Sequence, residues 1–162
     1  MMMLRLDKVN GGNVWDILDL RVRDDQRNFV AANDISIIEA YAAISSGGYA
    51  FPFGIYNDDT PVGFLMIGFD SDGHWVDAPS IAKGNYSIWR FMIDQRYQHS
   101  GYGKAALLLA LEFVRSFPCG PAEFCWLSYE PENSVAKHLY QSAGFAETGE
   151  FDRNECIATL KL

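Results

Sequence analysis

Basic residues are in short supply: 13 Lys and Arg stand against 21 Asp and Glu, for a formal net charge of -8. That balance excludes the broad cationic face that holds nucleic-acid phosphates, and it favours cationic small molecules through long-range attraction. Cysteine is scarcer still. Cys119, Cys125 and Cys156 form no CxxC pair, and their spacing from His74, His99 and His138 gives no zinc pattern. No metal is therefore expected, and a reduced, cytoplasmic setting is. The start MMMLRLDKVN lacks the apolar core of a secretion signal, and no apolar run approaches the length of a membrane span. The expectation is a soluble protein with neither a membrane nor a nucleic acid as partner. Repeats, low-complexity tracts and linkers are missing too. What is present is 162 residues, 49% of them hydrophobic, enough for one compact domain over residues 1–162.

The pattern along the chain is mixed. Leu4, Leu6 and Val9 suggest a first short strand, and "NVWDILDLRV" places Val14, Ile17, Leu18 and Leu20 near helical spacing. "QRNFVAANDISIIEAYAAI" reads as further helix, interrupted near Asn33 and Asp34, where Asp34 could cap a segment carrying Ile35, Ile38 and Ala42. "YAFPFGIY" and "PVGFLMIGFD" are apolar runs joined by "NDDT", hence a hairpin in which Asp58 and Asp59 are turn residues. After a loop on composition, "NYSIWRFMI" reads as a central strand. From Lys104 to Val114 good helix formers dominate, with Leu107, Leu108, Leu111 and Val114 as the apolar set. "PAEFCWLSY" is a strand and "NSVAKHLYQSA" a helix stopped by Gly144; two short strands close the chain, around residues 145–150 and 156–162.

Between the central strand and its helix lies "DQRYQHSGYGKAA". Closely spaced glycines at a strand-to-helix join are one way to hold a phosphate, because backbone N–H groups can approach it at the positive end of a helix. A nucleotide P-loop is excluded: Gln98 stands where it needs the first glycine, and Ala105 where it needs Ser or Thr. Gly101, Gly103 and Ala106 also fit a dinucleotide fingerprint. Seven residues separate strand from glycines there, however, and the acid about 20 residues on, Glu123, stands at the start of the next strand instead of its end.

The arrangement Ile93, Gln98, Gly101, Gly103 resembles the pyrophosphate-binding pattern of the GNAT superfamily of N-acetyltransferases. "ENSVAKHLYQSAGF" looks like the second signature of that superfamily, with Asn133, Ala136, Leu139, Tyr140, Gly144 and Phe145 in place. "ILDLRVRDDQRNFVAAN" and "GIYNDDTPVGFLMIGFD" are similar to bacterial spermine/spermidine N-acetyltransferases. The resemblance implies an α/β (α+β) fold: a mixed, mostly antiparallel bent sheet of about six to seven strands flanked by about four helices.

It also implies acetyl transfer from acetyl-CoA to an amine held in the same cleft, with a small-molecule amine, polyamines first, as the acceptor; the alternatives are a protein's terminal or lysine amine and, from another class, a noncatalytic coenzyme A or nucleotide-binding module, and a homodimer is a candidate assembly. The coenzyme would lie along Phe91, Met92 and Ile93. Its phosphates would meet Gln98, His99, Ser100, Gly101, Tyr102, Gly103 and Lys104, and Asn133, Lys137 and Tyr140 would line the cleft from one helix face. Tyr140 is the expected general acid for the departing thiolate, since a neutral phenol can donate to the charge that develops on sulfur. The base is less plainly written. Related polyamine enzymes often carry a carboxylate where this chain has Trp89, which leaves deprotonation to Glu130 through water or to a backbone carbonyl, and Trp89 and Glu39 are the expected contacts of the amine.

Overall fold

The computed structural model describes residues 2–162. Seven strands form one sheet in the order β1 (Leu4–Lys8), β2 (Tyr49–Asn57), β3 (Thr60–Phe69), β4 (Tyr86–Ile93), β5 (Phe124–Tyr129), β7 (Glu155–Lys161) and β6 (Ala146–Asp152). Every pairing is antiparallel except β4 with β5. Among the described residues four α-helices complete the fold: α1 (Val14–Leu18), α2 (Asn33–Ser45), α3 (Tyr102–Arg115) and α4 (Ser134–Ser142). The expected fold class holds, and the strand expected to be central is the fourth of seven.

The sheet is covered on both faces. On one, Ala106, Leu107, Ala110, Leu111 and Val114 of α3 pack with Ile55, Leu65, Ile88, Leu127 and Tyr140. On the other, Ile17 and Leu20, at and after α1, and Ala40 of α2 pack with Phe64, Met66 and Met92. Leu108, expected in the buried set of α3, is instead 52% exposed; the buried stripe runs through two alanines that let the helix approach the strands closely.

Four local expectations are corrected. The first helix is a short one, because the chain beyond Asp19 turns to meet β4: Arg21 N–H donates to Asp94 Oδ2 at 2.9 Å, and Gln95 N–H donates to Arg21 C=O at 2.8 Å. Residues 27–32 are not helical. A single 3-10 turn, Asp24–Gln26, precedes them, and α2 starts at Asn33 with Ala32 as its N-cap. The Asp34 carboxylate accepts from its neighbour Ile35 N–H and does not cap the helix. Finally, α2 turns Asn33, Ser36 and Ala40 inward and leaves Ile35 and Ile38 exposed. The segment is apolar nearly all round, so its pattern selects no face. Its rotation is set by Asn33, whose Nδ2 donates to Ile17 C=O at 2.9 Å.

Strand β4 contains the feature that opens a site. It pairs with β5 at two positions, Tyr86 with Cys125 and Ser87 with Trp126, and the strands then part. Opposite, the register with β3 shifts between Met66 and Ile67, leaving Trp89 as the extra residue of a bulge. A bulge inverts the alternation of faces beyond it. Trp89 packs against the α1/α2 core, and the next residue, Arg90, reaches the same side to pair with Glu39 of α2.

Candidate active site

Where β4 and β5 diverge, the sheet is split by a cleft of about 1170 Å³. Phe91, Met92 and Ile93 form one wall, and Asn133, Leu139 and Tyr140 stand opposite. At one end lies the glycine join. Asp94 caps a 3-10 turn, Gln95–Tyr97, by accepting from Arg96 N–H at 2.9 Å. His99 at φ +62° and Gly101 at φ +80° then turn the backbone into α3. Among the described residues, the N–H groups of Ser100, Gly101, Tyr102, Gly103 and Lys104 make no hydrogen bond. Alternating left-handed residues at a helix start gather such free donors into an anion-binding concavity.

The two glycines differ. At Gly101 the positive φ strains any L-residue, whatever the space. At Gly103 an added Cβ would meet Leu139 Cδ2 at 3.6 Å, an ordinary contact, so the protein's own packing does not require glycine there. Free donors and a glycine that the surrounding protein does not require fit a pyrophosphate lying against the backbone.

The side chains of the loop build it more than they line it. Gln98 Nε2 donates to Ile93 C=O at 3.0 Å and to Gln26 Oε1 at 2.8 Å, bracing the loop to β4 and to the segment after α1. His99 Nε2 lies 3.4 Å from Arg23 Nη1. Ser100 is exposed, its Oγ near Gln98 C=O. The Tyr102 hydroxyl accepts from Asn57 Nδ2 at 3.1 Å, so its ring points to the β2–β3 hairpin and only its backbone serves the loop. Lys104 lines the cleft. Asp94 anchors the whole arrangement. Its carboxylate is buried, which by itself would raise its pKa, but the hydrogen bonds from Arg96 and Arg21 outweigh this and hold it below the usual carboxylate range.

On α4, Asn133 caps the helix, its Oδ1 accepting from Ala136 N–H at 3.2 Å. Tyr140 lies beneath, between Phe91 and Tyr129 at ring distances of 6.4 and 5.8 Å. Its hydroxyl makes no hydrogen bond among the described residues and is not a fully buried atom, so it opens on the cleft. Burial, with the charge of Glu155 adding to it, raises its pKa and keeps it a neutral donor. Lys137, expected on the same face, does not reach the cleft. It pairs with Glu147 of β6 at 3.2 Å, where the Tyr129 hydroxyl also donates. An exposed carboxylate beside α4 draws the ammonium outward.

Beyond the split is the face toward α1 and α2. Glu39 lines the cleft, but its Oε2 is 2.8 Å from Arg90 Nη2, so its charge is already paired. The Arg90 guanidinium also lies 5.9 Å from the Trp89 ring. Trp89 is thus both core and lining. Trp75 and Trp126 stack at 6.2 Å along the same cleft, near Asp70 and Asp72 of the loop after β3. Glu130, just after β5, lines the cleft with no side-chain partner among the described residues, while Glu155 of β7 accepts from Ser128 Oγ at 2.9 Å. Arg90, Asp94, Ser128 and Glu155 were not singled out from the sequence. Asp94 carries a visible signal, an acid capping position directly after a strand; the others depend on the bulge and on the pairing of β5 with the chain's last strand.

Residues 14–145 match the acetyltransferase (GNAT) family. The chain belongs to that family. It is 30% identical to the spermine/spermidine N(1)-acetyltransferase of Bacillus subtilis (strain 168), over 94% of each chain. In fold it is similar to the PaiA N-acetyltransferase of Thermoplasma acidophilum in complex with coenzyme A, at a TM-score of 0.67, 15% identity, and coverage of 99% of this chain and 100% of that one. It is also similar to the aminoglycoside acetyltransferase AAC(6')-Ib in complex with coenzyme A, at a TM-score of 0.75 and 15% identity, over 98% of this chain and 95% of that one. It is an acetyl-CoA-dependent N-acetyltransferase. No helix among its described residues is long and apolar enough to cross a membrane.

Proposed function

We propose that this acetyltransferase acts on a primary amine of a small molecule, a polyamine before other amines, in a ternary complex within the split between β4 and β5. The observation that carries the choice of acceptor is the chemistry of the cleft on its α1/α2 side. Asp70, Asp72, Asp152 and Glu155 line it together with Trp75, Trp89 and Trp126. Carboxylates suit the several ammonium groups of an extended polycation, and aromatic faces attract cations and cover the methylene segments between them. The name of the B. subtilis relative, alike over nearly the whole chain, supports the same reading.

Acetyl-CoA supplies an activated acetyl thioester. The free N–H groups at residues 100–104 and the start of α3 hold its pyrophosphate, and the unpaired edge of β4 from Phe91 to Ile93 lies along the remainder. Holding donor and amine in one cleft supplies much of the rate by orientation. Tyr140 donates its hydroxyl proton to the departing sulfur. Trp89 and Arg90, brought to one side by the bulge, form the wall against which the amine lies, with Glu39 neutralising the guanidinium that would otherwise repel it.

A panel of amines assayed for thiol release tests the reading: spermidine and spermine, a monoamine of similar length, an aminoglycoside, and a peptide with free terminal and lysine amines. Highest kcat/KM for the polyamines is expected. Preference for the peptide would replace the acceptor class, and acetyl-CoA binding without turnover on any amine would leave a noncatalytic coenzyme A module.

A further inference from the structure

An alkylammonium has a pKa of about 10 and cannot attack a carbonyl until it gives up a proton. The alternation of β5 shows where an acceptor for that proton stands. Cys125, Leu127 and Tyr129 belong to the core under α3 and α4, whereas Trp126 packs with Ala82 and Ile157 on the opposite face. Ser128 follows Trp126 by two residues and shares its face, and Glu155 precedes Ile157 by two and shares it as well. The pair is held together by the 2.9 Å hydrogen bond from Ser128 Oγ to Glu155 Oε2, and both line the cleft. Tyr140 belongs to the other face, yet Glu155 is near enough for its charge to act on the phenol. The split therefore has a neutral donor on its α4 side and a fixed carboxylate across from it.

We propose that Glu155 takes the proton from the acceptor amine, directly or through one water, with Ser128 as the residue that positions its carboxylate. The proposal rests on the acetyltransferase reading. Glu130 lines the same cleft but no side chain fixes its carboxylate, and Glu39 is committed to Arg90. The charged and titratable groups that face Glu155 are Glu130 at the end of β5, Asp152 across the β6–β7 ladder, Arg153 in the turn between them, and Tyr140 of α4. In the step itself an N–H bond of the ammonium breaks and an O–H bond forms on Glu155, leaving the electron pair on nitrogen. That pair forms the C–N bond as the C–S bond of the thioester breaks. The thiolate takes the Tyr140 proton, the second nitrogen proton restores Tyr140 through solvent, and Glu155 releases its proton to water.

Glu155→Gln tests this while keeping an oxygen that Ser128 can donate to. At pH near 7, kcat/KM for the amine is expected to fall about 10²-fold, with an unchanged KM for acetyl-CoA and an unchanged melting temperature. The deficit should shrink as the pH approaches the amine's own pKa of about 10, because free amine then needs no base. Ser128→Ala, which only releases the carboxylate, should give a smaller loss of the same pH form. Wild-type turnover in Glu155→Gln, a deficit equal at every pH, or a greater loss in Glu130→Gln would each overturn the proposal and leave the acetyltransferase standing. A wild-type protein inactive on every amine would instead defeat the functional reading, and this proposal with it.

Discussion

Tyr140 shows how far one residue can be read in advance. Its helix and its partners in the second signature were legible, because a helical repeat fixes which positions share a side. What the repeat could not say is that Lys137, on the same helix, would be drawn away by Glu147 on a strand distant in sequence. The acid role proposed for Tyr140 has a kinetic signature. Tyr140→Phe removes a donor that matters only as charge develops on sulfur, so kcat should fall roughly 10²-fold with little change in the KM for acetyl-CoA. Steady-state kinetics with both substrates varied will check this; equal turnover would remove the residue as the acid. The pH dependence has a definite sign. The folded-state pKa is raised, chiefly by burial, so any stability tied to the neutral phenol is complete below about pH 10, its unfolded value, and is lost as the pH rises toward the folded value. No loss of kcat through this tyrosine is expected between neutrality and about pH 10.

At the scale of elements, the join between β4 and α3 was legible because glycines and a strand-to-helix transition are local signals. The bulge at Trp89 was not, since nothing local distinguishes an extra residue in one strand from a regular one until its partner is known. The same holds for α2, whose apolar surroundings on all sides gave no rotational preference. Two variants of the join separate folding from binding. Gly103→Ala adds a Cβ that the protein accommodates beside Leu139 and replaces a poor helix former, so thermal unfolding should show equal or greater stability, by up to about 1 kcal/mol. The same methyl group stands where the proposed pyrophosphate site brings the backbone against a phosphate, and calorimetry should find acetyl-CoA affinity lowered about tenfold or more. Unchanged affinity would place the pyrophosphate elsewhere.

Asp94 makes the opposite prediction, because it braces the loop through Arg21 and Arg96 and does not line the cleft. Asp94→Ala leaves the part-buried N–H groups of Arg21 and Arg96 without their acceptor and should cost about 1–3 kcal/mol of stability, measured by urea unfolding, together with acetyl-CoA affinity. Its depressed carboxyl contributes stability that is present above the unfolded pKa of about 4 and is lost as the pH falls through the folded value. The variant's stability should therefore fall less steeply in acid than the wild type's.

For the whole molecule, the net charge is a bias toward cationic ligands, yet the family's cosubstrate is an anion. The two facts are compatible because they act over different ranges. In the proposed complex, fixed N–H dipoles at the start of α3 would bind phosphate at contact distance, where salt screens little, while the -8 field and the carboxylates along the cleft act at long range. Raising the ionic strength from about 0.01 to about 0.1 M shortens the screening length from roughly 30 to roughly 10 Å, which removes the long-range part and spares the contacts. The kcat/KM for a polyamine should then fall severalfold, whereas that for acetyl-CoA, approaching against a field of its own sign, should hold or rise. A neutralised amine side, made by Asp70→Asn with Asp72→Asn, should flatten the polyamine's salt dependence without altering that of acetyl-CoA. Parallel salt dependences for the two substrates would mean that the acidic surface does not steer the amine, and that the carboxylates along the cleft serve solubility.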